Sequence, residues 1–217
     1  MPDIDISGFV LAGGKSTRMG RDKAAISLDG RTLLEHALGT LRQVCNDVRI
    51  LGSPHLYGSC GAEVVEDIFP GCGPLGGIHA ALSHTRTRFN LIIAVDTPFL
   101  SVEFLRFMMD HAVASAAVVT TPEIAGYRQP LCSVYSRNFL PIAEKALRSE
   151  PSHKEASARE GKSADYKIVP LFPADGTCVI SEAEIRKFAF PTEMFDNLNT
   201  PDDLKRAQRR GLDFSHE

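Results

Sequence analysis

Short apolar runs alternate with amphipathic stretches over about 120 residues at the start of the chain, a pattern that predicts strands alternating with helices. Ile6 to Ala12 is apolar and ends in two glycines, as a buried strand feeding a loop would. Asp29-Gly30 marks a turn. A helix follows in which Thr32 is the cap, Glu35 completes a capping box, and Leu34, Leu38 and Leu41 recur at helical spacing. Val48 to Leu51 and Ala62 to Val65 read as the next strands, and Gly73 to Gly77 opens a helix running from Ile78 to about His84. Asn90 to Val95 is apolar on both faces, as a central parallel strand should be. Ser101 caps a helix to about Val113, and Ala116 to Thr121 is a further strand.

This alternation predicts an α/β fold of the Rossmann-like, doubly wound kind: a mostly parallel sheet, right-handed crossovers and helices on both faces. Beyond Tyr135 the pattern weakens. A helix is expected from about Phe139 to Arg148, and then comes PSHKEASAREGKSADYK, so polar that 150–167 is expected to be mobile or irregular. The last helix is plainly signalled by a Thr200 cap, Pro201 in the first turn, and Asp202 and Asp203 at the positive end of the helix dipole. No internal linker is visible, so 1–217 is read as one domain.

Composition narrows the function by exclusion. A net charge of −3, no tryptophan and no basic–aromatic interleaving leave no general attraction to nucleic acid or anionic lipid. No leader-like pattern stands at the amino terminus, and no apolar run approaches the roughly 20 residues of a membrane span, so a cytoplasmic protein is expected. The cysteines (Cys45, Cys60, Cys72, Cys132 and Cys178) are odd in number, contain no CxxC, and are expected to be scattered reduced thiols. His79 and His84, five apart, do not share a helical face as a metal pair would.

The loop after the first strand is the informative segment. A P-loop needs GxxxxGK[ST], but Gly14-Lys15-Ser16 is preceded at the required position by Phe9, and no GxGxxG spacing is present either. What remains is a glycine pair followed by Lys15, Arg18, Arg21 and Lys23. Glycines let backbone N–H groups approach phosphate oxygens, and the cations offset a charge of about −4 on a triphosphate. A solvated surface turn is the alternative, and four cations directly after a buried strand favour phosphate. Asp96 follows the central strand, at the sheet edge where open α/β folds bind ligands. There it either caps the next turn or ligates Mg²⁺, a cation that commonly takes one or two protein carboxylates and fills its shell with water and phosphate oxygens.

The segment LAGGKSTRMGRDK, Leu11 to Lys23, resembles the signature of nucleotidyltransferases with the GT-A-like fold, and most closely that of the molybdenum cofactor guanylyltransferases. Asp96-Thr97-Pro98, Glu66-Asp67, Gly73 to Ile78 (GPLGGI), Gln129-Pro130-Leu131 and Asp196 to Pro201 (DNLNTP) extend the resemblance over nearly the whole chain. It implies that Leu11, Ala12, Gly13, Gly14, Asp67 and Gly76 line the nucleotide. Lys23 and Arg18 would serve the triphosphate, Asp96 would hold Mg²⁺, and Gln129, Asn197 and Asn199 would face the acceptor. Where the family often carries an asparagine after the second strand, this chain has Leu51-Gly52-Ser53-Pro54.

The implied reaction joins the phosphate of molybdopterin to the α-phosphorus of GTP and expels pyrophosphate. An attacking phosphate with a second pKa of about 6 is already an anion at neutral pH and needs no general base. Other proteins of molybdenum cofactor biosynthesis would be partners. Two other readings stay open: a cytidylyltransferase acting on molybdopterin or a sugar phosphate, and a non-catalytic nucleotide-binding module. Related cytidylyltransferases tend to read LAAG, and Gly14 leaves more room for a purine.

Overall fold

The computed structural model describes residues 5–12, 22–149 and 166–210. Gly13, Gly14 and Arg18, and the polar stretch as far as residue 165, lie outside the described residues. The sheet is built outward from β1 (Ile6–Leu11), every residue of which is buried. Phe9 and Leu11 point to one face, Ile6 and Val10 to the other, and both faces are covered by helices. A hairpin of β2 (Ser27–Leu28) and β3 (Arg31–Thr32) turns through Asp29 and Gly30, both at positive φ (49° and 81°), and leads into α1 (Leu33–Leu41). Two successive positive φ values define a tight type I′ hairpin turn, which asparagine, aspartate and glycine tolerate best.

β4 (Asp47–Leu51), the short α2 (Pro54–Tyr57), β5 (Glu63–Val65), α3 (Gly73–His84), β6 (Phe89–Ala94) and α4 (Val102–Ser115) follow. β1 pairs in parallel with both β4 and β6, and β4 with β5, so Leu11, Leu51, Val65 and Ala94 are the last residues of four strands that end level. β7 (Val119–Ile124) carries the two-residue β8 (Tyr127–Arg128). β9 (Cys132–Ser136) then inserts antiparallel between β6 and β7. α5 (Leu140–Ser149), the edge strand β10 (Thr177–Ser181), α6 (Glu182–Lys187) and α7 (Pro201–Arg210) complete the described elements. The sheet runs β10-β7-β9-β6-β1-β4-β5. α1, α4 and α7 pack on one face, α3 and α5 on the other. The mostly parallel, doubly wound sheet expected from the sequence is therefore present.

Boundaries move for identifiable reasons. α3 begins at Gly73 rather than Ile78, so GPLGG is its first turn, with proline where its missing N–H costs nothing. The strand expected from Ala116 starts at Val119, because Ala116 takes a left-handed conformation (φ 51°) that ends α4. β9 escapes the hydrophobic pattern because Ser133 and Ser136 are buried in it. The Ser133 hydroxyl is satisfied by Gln129 O at 2.7 Å and Thr121 Oγ1 at 2.8 Å. Among the described residues no helix is long and apolar enough to cross a membrane.

The capping box of α1 forms as expected. Thr32 Oγ1 accepts from Glu35 N at 3.2 Å, and Glu35 Oε2 accepts from Thr32 N at 2.7 Å. Thr32→Ala should lower unfolding stability by about 1 kcal/mol, seen as a shifted urea midpoint with an unchanged slope.

Candidate active site

Hydrogen bonds continue past the level strand ends and draw the next residues together. Val95 N donates to Leu11 O at 3.1 Å, Ala12 N to Leu51 O at 3.0 Å and Gly52 N to Val65 O at 3.1 Å. Asp96 therefore stands at the same sheet edge as Ala12, as its position after β6 implied. Its carboxylate meets Lys23, whose ammonium lies 2.7 Å from Asp96 Oδ2 and 2.6 Å from Asn199 Oδ1. The Lys23 and Asp96 side chains are only 20% and 19% exposed, so this pair is better shielded than an ordinary surface ion pair.

Asn199 is held by the segment around it. Leu198 is buried, and its N–H donates to Asp96 O at 2.9 Å, strapping 196–199 across the end of β6. Asp203 Oδ2 accepts from the Asn199 and Thr200 amides at 3.1 and 2.8 Å, while Thr200 Oγ1 accepts from Asp203 N at 3.1 Å. The sequence Asn199-Thr200-Pro201-Asp202-Asp203 is thus a reciprocal cap at the start of α7 that also presents the Asn199 carboxamide to Lys23. Hydrogen bonding from Thr200, and then from the Arg206 guanidinium, lowers Asp203 to about 2 and keeps it an acceptor. Beside it an open cleft of about 450 Å³ is lined by Asp196, Asn197, Asn199, Asp203 and Arg206 over a floor of Phe99 and Phe195.

Lys23 opens a short 3-10 turn, Lys23–Ala25, that Asp22 caps by accepting from Ala24 N at 3.0 Å. The other Asp22 oxygen lies 2.9 Å from the Tyr57 hydroxyl, which is also 3.1 Å from Ala12 O. Burial, reinforced by the Asp22 carboxylate, pushes the Tyr57 phenol well above its ordinary range and keeps it a donor. Neither residue stands out in the sequence. Asp22 is one acid in a basic motif, and Tyr57 is a lone aromatic in a stretch matching no motif.

Asp67 follows β5 and lies against the first turn of α3. A Cβ at Gly76 would lie 3.4 Å from Asp67 Oδ2 and one at Gly77 would lie 2.4 Å from Leu11 Cδ1. The bare Gly77 thus lets α3 close on the end of β1. Leu11, Ala12 and Asp96 share the strand-end edge, where Lys23 and Asn199 meet Asp96, and Asp67 and Gly76 lie close together beside Leu11. Asn197 lies on the cleft wall. Gln129 is turned to its own hairpin, where its amide donates to Tyr127 O at 3.0 Å. The backbone beside it joins the same edge, since Ala94 N donates to Leu131 O at 2.8 Å.

The donor set around Lys23 suits a divalent cation. Two oxygens of different chain segments, Asp96 Oδ2 and Asn199 Oδ1, already converge on one positive centre, and hard oxygen donors suit such ions. No group of three or more His, Cys, Asp or Glu side chains able to hold a metal occurs among the described residues. Any such ion would take most of its ligands from substrate and water.

Residues 8–163 match the family model of the MobA-like NTP transferase domain. A relative from Pelotomaculum thermopropionicum, named probable molybdenum cofactor guanylyltransferase, is 33% identical over 94% of this chain and 93% of its own length. The molybdenum cofactor guanylyltransferase of Desulfosudis oleivorans is 31% identical over 94% of both chains. Among solved structures, the molybdopterin-guanine dinucleotide biosynthesis protein A of Archaeoglobus fulgidus superposes with a TM-score of 0.75 at 25% identity, over 94% of this chain and 97% of that one.

Burial, with the Glu66 carboxylate adding to it, raises Asp67 to about 6. Between about pH 4, where the unfolded chain loses this proton, and pH 6, the folded state binds more protons than the unfolded one, so this group's contribution to stability falls as pH rises. Asp67→Asn should melt higher than the parent protein above pH 6 without nucleotide, and the gain should vanish below pH 4. Melting curves across pH 4–8 would check this.

Proposed function

The chain belongs to the MobA-like NTP transferase family, and we propose that it transfers GMP from GTP to the phosphate of molybdopterin, releasing pyrophosphate and forming molybdopterin guanine dinucleotide. The observation that carries this reading is the convergence of Lys23, Asp96 and Asn199 at the strand ends, a charged centre of the kind needed where two polyanions meet. The names and near full-length match of the relatives support the choice of substrates.

The chemistry asks for position and charge rather than a base. The molybdopterin phosphate is already anionic, so the work is to align it with the α-phosphorus and to offset the charge that develops as pyrophosphate leaves. We assign Lys23 to the triphosphate, with Arg18 beside it on sequence grounds. Leu11, Ala12, Gly13, Gly14, Asp67 and Gly76 are assigned to the nucleoside. Asp96, with the Asn199 oxygen nearby, is assigned to hold Mg²⁺, which would supply Lewis-acid stabilisation of the charge that develops on the phosphates. Gln129 and Asn197, with Asn199, are assigned to the acceptor, and the cleft beside Asn197 gives it room. A reaction among soluble substrates of this kind suits the cytoplasm.

Purified protein given molybdopterin, GTP and Mg²⁺ should form the dinucleotide and pyrophosphate in equal amounts, with CTP in place of GTP much the poorer donor. Equal or better turnover with CTP would overturn the guanylyl assignment. Asp96→Ala should lose about a hundredfold or more in kcat while circular dichroism and melting remain close to those of the parent. Near-normal magnesium-dependent activity in that variant would remove Asp96 from the mechanism.

A further inference from the structure

The Tyr57 side chain is only 4% exposed, its ring is part of the core packed around β1 and α1, and its hydroxyl is the one polar atom it carries. That hydroxyl does not point into the cleft. It reaches two acceptors, Ala12 O at 3.1 Å and Asp22 Oδ2 at 2.9 Å. Ala12 follows β1, and Asp22 directly precedes Lys23. Asp22 in turn caps the 3-10 turn that Lys23 begins. The phenol is rooted elsewhere, on α2 after β4, whose last two residues are held by Ser53 O accepting from Leu56 N and Tyr57 N at 3.0 and 3.1 Å.

From this arrangement we infer that Tyr57 is a positioning residue for Lys23: its hydroxyl ties Ala12 to Asp22 and so fixes the start of the turn from which the Lys23 side chain reaches Asp96 and Asn199. A phenol has a single proton, so the two acceptors share it, with the charged carboxylate making the stronger bond. Were the hydroxyl absent, Asp22 would keep its bond to Ala24 N but lose, among the described residues, its one side-chain tie to the core. The Lys23 ammonium then has to find its geometry at a cost in side-chain and backbone freedom, which falls on nucleotide binding rather than on the fold.

The inference rests on the assignment of Lys23 to the triphosphate, and the test separates the two. Tyr57→Phe keeps the ring and removes only the oxygen. Hydrogen exchange, read without any nucleotide, should be roughly tenfold faster at the Ala24 and Ile26 amides, with the amides of β6 unchanged. Calorimetry with GTP and Mg²⁺ should give a Kd raised roughly tenfold, with KM for molybdopterin within about twofold of the parent; the size follows from a hydrogen bond to a charged group. In an Asp22→Ala background, where the tie is already broken, Tyr57→Phe should change Kd by less than about twofold. A lowered melting temperature with unchanged exchange at Ala24 and Ile26 would make Tyr57 a packing residue only and overturn the inference, as would additive effects in the double variant. Faster exchange in Tyr57→Phe from a parent protein that fails to bind GTP would instead uphold the tie and overturn the substrate assignment.

Discussion

One ammonium group joins three stretches of chain that are far apart in sequence. Lys23 lies 73 residues before Asp96 and 176 before Asn199, yet its Nζ is within 2.7 Å of an oxygen from each. This is possible because four parallel strands end level, so that whatever follows them is delivered to one edge. The strap 196–199 is laid across that edge by a single backbone bond, Leu198 N to Asp96 O. Lys23 takes its partners from both sides of that bond, Asp96 at the strand end and Asn199 on the strap. A lysine without those partners would be a solvated surface cation. With them it is a charge fixed at the level strand ends.

Much of this was legible in the sequence, and unevenly so. The capping box at Thr32 and Glu35, the turn at Asp29-Gly30 and the buried run ahead of Asp96 are local signals, and each formed where its residues put it. β9 was not legible, because buried serines satisfied by a carbonyl and a threonine look polar to any periodicity argument. The start of β7 was misplaced because a left-handed alanine at a helix end leaves no mark in composition.

The site divides in the same way. Lys23, Asp96 and Asn199 each sat in a segment marked by family resemblance, and the structure brings these three into contact. Their relation to Asp22 and Tyr57 was invisible, since a hydrogen bond between residues 35 apart leaves no spacing to read. The DNLNTP segment gained a physical explanation beyond resemblance. Its Thr200 and the following Asp203 cap a helix, and Asn199 is oriented by that cap. Gly76 and Gly77 likewise have a packing reason, since they allow the close approach of α3 to Leu11 and to Asp67.

The insertion of β9 has a consequence for how the molecule comes into being during synthesis. β7 leaves the ribosome before β9, but in the finished sheet it reaches β6 only through β9. The four strands that end level, β1, β4, β5 and β6, are complete once residue 94 has emerged. β7 and its small hairpin must then wait beside an unfilled slot until residues 132–136 arrive to close it. A nascent chain halted between those two points presents the bare edge of β6, a strand buried along its whole length, to its surroundings. The same antiparallel strand that joins β6 to β7 therefore makes that interval of translation the one in which the chain most needs protection from other chains.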